Sequence, residues 1–101
     1  MAGRLLQAPL TTQRHLALAR ALVEYHERTG QGRLDDAVAA ARRAARLWAQ
    51  APDALLWEGV AHARAGRKGR ARECLTRFLR TTDELNGSGP KKAKEYLRRA
   101  V

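Results

Sequence analysis

One cysteine is all the sequence offers for covalent cross-linking. Cys74 therefore forms no internal disulfide and cannot by itself seed a tetrahedral zinc site. Set among Ala71, Leu75 and Phe78, it is expected to be a small buried or half-buried hydrophobe and not a reactive thiol. Aromatic residues make up only 5% of the chain. No row of stacking rings stands beside the basic segments, which weakens any single-stranded nucleic-acid reading. No apolar run approaches the ~20 residues that cross a bilayer. The short Leu5-Leu6 stretch near the N-terminus has no cleavage pattern of a secretory signal, so a cytoplasmic protein without membrane insertion is expected. β-branched residues are sparse outside the threonine pairs, and no segment alternates apolar with polar residues. No sheet is predicted.

Acidic residues are the other shortage. Ten of them face 20 lysines and arginines, for a net charge of +10 and a pI near 11.2. Such a chain attracts polyanions. Yet all the basic residues except Lys68, Lys91, Lys92 and Lys94 are arginine, and alanine is abundant, a bias that GC-rich coding produces without selection for nucleic-acid binding. At 101 residues, 45% hydrophobic and 30% charged, the chain has the composition of one globular domain with a single core.

Glycine and proline divide the chain into helical lengths at Gly30 and Gly32, Pro52, Gly66 and Gly69, and Gly87, Gly89 and Pro90. An all-α fold of five helices is predicted, with residues 1–11 as an N-terminal extension and 12–101 as a single domain. The first helix should start at a Thr11 or Thr12 cap and put Leu16, Ala19, Leu22, Val23 and His26 on one face. Glu24 and Arg28 should pair outside it. The second, over 34–49, carries Asp35 and Asp36 in its first turn and a stripe of Ala37, Ala41, Ala44, Ala45 and Trp48. Arg42, Arg43 and Arg46 fall off that stripe. The third opens at Pro52 and Asp53 and runs through Leu55, Leu56, Gly59, Val60 and Ala63. The fourth, from Arg70 to Thr82, turns Ala71, Leu75, Phe78 and Leu79 inward. A linker from Asn86 to Pro90 then leads to a capping helix with Ala93, Tyr96, Leu97 and Ala100 on one face.

Gly32, Ala37, Ala41 and Ala45 recur as Gly66, Ala71, Leu75 and Leu79 at a constant offset of 34 residues. A fixed period of this length marks stacked helical hairpins, each burying a face that its neighbour completes. With Leu55, Gly59, Gly66, Ala71 and Leu75 in order, the chain resembles the tetratricopeptide repeat family. The segment from Glu27 to Ala37 is similar to repeats of large actinobacterial members. The likeness spans residues 12–82. It implies two hairpins, 12–49 and 52–82, and a capping helix at 90–101, together a fragment of an α-solenoid. Three departures stand out: Phe78 occupies a position where the family has alanine, as Ala44 is in the first unit; Pro52 comes late; and the first loop is about two residues longer than the family's.

The resemblance implies a non-catalytic scaffold that receives a peptide or protein in a groove lined by the first helix of each hairpin. Arg20, Glu24, Leu56, Val60 and Arg64 would then face the partner. Arginines there favour an acidic or C-terminal carboxylate ligand. The densest positive segment, Arg64 to Arg80, holds Arg67, Lys68, Arg70, Arg72, Arg77 and Arg80 against only Glu73. It is read first as a solvated helix face and otherwise as a patch for an acidic protein tail, nucleic acid or a membrane surface. Trp48 and Trp57 flank the Pro52 junction, as packing residues or, for Trp57, as a contact anchor. No enzyme, cofactor or metal is expected. His15, His26 and His62 show no helical ligand spacing, Glu24 and Glu27 read as ion-pair partners, and the turn from Gly66 to Gly69 lacks the Walker pattern. With so few units, homodimerisation through an unstacked face is a further possibility.

Overall fold

The computed structural model describes residues 10–48, 52–81 and 88–99. Among them are five helices and no strand: α1 (Leu10–Thr29), α2 (Leu34–Leu47), α3 (Pro52–Arg64), α4 (Lys68–Thr81) and α5 (Ser88–Arg99). Each helix packs on its neighbour in sequence, and α3 lies beside both α1 and α5. The fold is therefore two helical hairpins and a fifth helix, with α1, α3 and α5 side by side. Residues 1–9 of the expected extension, along with Ala49, Thr82, Asn86, Gly87 and Ala100, lie outside the described residues.

The 34-residue period survives in three dimensions. α2 and α4 each contain 14 residues and start 34 apart. Ala37 and Ala71 are fully buried, as are Ala41 and Leu75. Gly32 and Gly66 both take positive φ, 124° and 84°, which glycine adopts without the clash a Cβ brings. Ala45 breaks the series, because it is exposed while Leu79 is half-buried. On α2 the inward positions are Ala37, Val38, Ala40, Ala41 and Ala44, so the seam runs at i, i+3 and i+4 and passes Ala45 by. The first loop, 30–33, is one residue longer than its counterpart 65–67.

Helix starts differ from expectation in three places. α1 begins at Leu10, so Thr12 falls inside the first turn, fully buried on the stripe that continues to Ala19 and Val23. Its Oγ1 has no hydrogen-bond partner, so it does not act as the cap. α4 begins at Lys68, two residues early. α5 begins at Ser88, which places Gly89 and Pro90 in a helical first turn and not in a linker. Proline is tolerated there because the first amides of a helix have no partner within it.

Two contacts fix how closely the layers meet. A methyl group at Gly59 would stand 2.7 Å from Leu75 Cγ and Cδ2, so α3 and α4 approach at a distance only glycine permits. Phe78, which departs from the repeat pattern, is buried and touches the site of a Cβ at Gly89 at 3.1 Å, with Leu56 at 3.5 Å. It forms the seat on which α5 rests. Val23, Leu56, Val60, Leu75, Phe78, Ala93 and Tyr96 make one continuous core. Each large side chain in it contributes about 1.5–3 kcal/mol of burial free energy.

Candidate functional site

The five residues expected to share a groove do not share a surface. Leu56 and Val60 are 3% and 0% exposed and belong to the core. They lie on α3, which packs against α1, α2, α4 and α5, so the stripe expected to face a partner faces the neighbouring helices. Arg20 and Glu24 do reach solvent, paired with each other at 3.3 Å. Glu24 therefore pairs backward to Arg20, not forward to Arg28. Both line an open groove of about 330 Å³ between α1 and α3, with Leu16 and Ala17 on one wall, and Asp53 and Trp57 on the other. Trp57 is half-buried, packed against the core on one edge and open to the groove. The Lys92 ammonium sits 5.7 Å from its ring centroid.

Arg64 turns inward and ties three helices together. Its Nε donates to His26 Nδ1 at 2.8 Å, Nη2 to the His26 carbonyl at 3.3 Å, and Nη1 to the Tyr96 hydroxyl at 3.2 Å. Tyr96 in turn donates to Glu27 Oε2 at 2.5 Å, and Lys92 lies 2.9 Å from the same oxygen. These bonds join α1, α3 and α5 across the face on which they lie together. Burial pushes the Tyr96 hydroxyl above its ordinary value, and its bond to Glu27 adds to the shift. Glu24 and Glu27 are thus held by different partners and do not converge as a catalytic carboxylate pair.

The basic segment is divided between two uses. Lys68, Arg70, Arg72, Arg77 and Arg80 are exposed on α4, with Arg70, Arg77 and Arg80 near one another on its solvent face at i, i+7 and i+10. Arg67 leaves that patch. It pairs with Asp35 across the two interhelical loops and places Nη1 3.2 Å from His62 Nδ1. The pairing holds the Asp35 carboxyl below its usual range. α1 exposes Leu10, Leu18 and Tyr25.

A second constellation, absent from the sequence reading, lies between α3 and α4. Glu58, His62 and Cys74 bring one carboxylate oxygen, one imidazole nitrogen and one sulfur within 4.8 Å of one another. Burial lowers the His62 pKa, and the charges of Arg67 and Arg42 add to this against the opposing pull of Glu58. The Cys74 thiol is pushed up to about 12, mainly by burial and then by the Glu58 carboxylate, so it is a thiol at neutral pH and a poor nucleophile. Glu58 precedes His62 by one helical turn, which corrects the view that no histidine here has a carboxylate at ligand spacing. That i,i+4 pair was visible in the sequence; the arrival of Cys74 from the next helix was not.

Neither a protein-family model, nor a curated protein, nor a solved structure matches the chain. Among the described residues, no helix is long and apolar enough to cross a membrane.

Proposed function

We propose that this chain is a non-catalytic binding module of tetratricopeptide type, which receives an acidic peptide segment along the face formed by α1, α3 and α5. The observation that carries the reading is the groove between α1 and α3. It presents an aromatic ring, Trp57, beside Asp53, with Arg20 and Glu24 on the facing wall, and Lys92 5.7 Å from the ring. An apolar side chain of the partner would lie on Trp57, and a carboxylate would meet Arg20 in place of Glu24, since the planar fork of arginine matches a carboxylate. Arg64 is not part of this surface, because its donors are used within the fold.

The test is a display of short acidic and basic peptides probed with the full chain. Acidic peptides should be enriched, and Arg20→Ala or Trp57→Ala should abolish the enrichment with the far-ultraviolet dichroism unchanged. A second reading rests on the exposed arginines of α4. If changes at Arg70, Arg77 and Arg80 remove binding and those in the groove do not, the interface is the outer face. Polyanions such as nucleic acid then become the ligand, with affinity falling steeply as salt rises. Light scattering of the same sample reports whether the apolar face of α1 pairs two copies instead.

A further inference from the structure

Glu58 and His62 stand one turn apart on α3, and Cys74 faces them from α4. His62 Nε2 and Cys74 Sγ each lie 3.6 Å from Glu58 Oε2. A tetrahedral zinc ion, with Zn–S of about 2.3 Å and Zn–N or Zn–O of about 2.0–2.1 Å, holds its donor atoms roughly 3.3–3.6 Å apart. The two measured edges are already of that length.

An independent observation points to the same place. His62 is 1% exposed, and its Nε2, which faces Glu58 Oε2 at 3.6 Å, has no hydrogen-bond partner. A buried polar nitrogen left this way costs free energy that a bound ligand removes. Arg42 Nε, 3.4 Å away, addresses the same carboxylate oxygen. Three donors crowd one acceptor, and neither nitrogen reaches the ordinary hydrogen-bond distance.

We propose that Glu58 Oε2, His62 Nε2 and Cys74 Sγ form a site for a divalent cation of the zinc type, with water as the fourth ligand. Imidazole, thiolate and carboxylate together suit zinc, whereas magnesium and calcium take oxygen donors. Loading is an exchange that balances. Cys74 releases its thiol proton to solvent and binds as thiolate. The His62 proton leaves Nε2, Nδ1 takes one up, and the freed Nε2 lone pair holds the ion. Arg67 opposes this step, because a guanidinium only donates and its contact at Nδ1 keeps the proton on Nε2. On loading, Arg67 withdraws to Asp35, its existing partner, and Arg42 gives up Oε2. The two arginines compete with the ion, and their position sets its affinity. A bound ion clips α3 to α4 from within the second hairpin.

The experiment is a cobalt titration of the freshly reduced full chain, followed by absorption. One ion should bind per chain, with the intense visible bands of tetrahedral cobalt and a near-ultraviolet thiolate-to-cobalt charge-transfer band, both bleached by zinc. Cys74→Ser should remove the charge-transfer band. Glu58→Gln should weaken binding by roughly 10–100-fold, whereas Arg67→Met, which frees Nδ1, should tighten it about tenfold. Should Glu58→Gln lose its helical signal, the Arg67→Met comparison decides alone. The proposal fails if neither the wild type nor Arg67→Met develops the charge-transfer band up to millimolar cobalt. Visible bands of equal strength in wild type and Cys74→Ser place the ion elsewhere and overturn it as well.

Discussion

Glu27 is partly buried, and burial raises its pKa. The hydrogen bonds from Tyr96 and Lys92, with the charges of Lys92 and Arg64, outweigh that effect and leave the carboxyl below its ordinary value of 4.5. A carboxylate whose pKa is depressed by folding binds fewer protons in the native state than in the unfolded one. Its stabilisation is therefore complete above about pH 4.5 and is lost as pH falls through the native value. Glu27→Gln is expected to cost about 1–3 kcal/mol at neutral pH and to flatten the acid side of the stability profile, which urea midpoints at a series of pH values will show. At Gly59 the expected change is steric. An alanine methyl would enter the space of fully buried Leu75, and Gly59→Ala should destabilise the protein by about 1–2 kcal/mol despite the better helix propensity of alanine. Cys74, with its pKa near 12, should react with iodoacetamide at pH 8 far more slowly than the same thiol in urea.

Among the elements, α2 and α4 were the most legible, because the alanines and glycines that repeat at 34 residues mark positions where two backbones must come close. Ala37 and Ala71 kept that meaning and Ala45 did not, since alanine suits both a tight seam and an exposed helix face. Helix ends were harder to place. Thr12 carries the signature of a cap, but its methyl fits the core stripe with Ala19 and Val23, and burial prevailed. The groove residues were misjudged at Leu56, Val60 and Arg64 because helical periodicity tells which residues share a face, not which neighbour covers that face. The Glu58 cluster depends on the register between α3 and α4, which no single helix encodes. α5 depends on Phe78: Phe78→Ala should cost about 3–5 kcal/mol and loosen α5 selectively, with amides of 91–99 exchanging with solvent faster than those of α3.

At the scale of the whole molecule, the radius of gyration of 13.0 Å and extents of 41 × 26 × 21 Å match a compact domain of about this length. Its charge is distributed unevenly, with exposed Arg70, Arg77 and Arg80 on α4 and the ion pairs of Arg20 with Glu24 and of Lys92 with Glu27 elsewhere. On the proposed reading, raising salt should change the affinity for an acidic peptide only moderately, since few ion pairs would form in the groove, and weaken any adhesion of polyanions to α4 much more. Competition of heparin with an acidic peptide at two salt concentrations separates the two surfaces. The bonds of Glu27 to Lys92 and Tyr96 span 65 and 69 residues, whereas the helices otherwise pack with near neighbours in the chain. Such a topology folds quickly, one hairpin after another, because most of its loops are short. The Glu27 clasp can form only after α1, α3 and α5 have all assembled. It therefore acts as a latch in time: weakening it should leave the folding rate nearly unchanged and shorten the lifetime of the folded state.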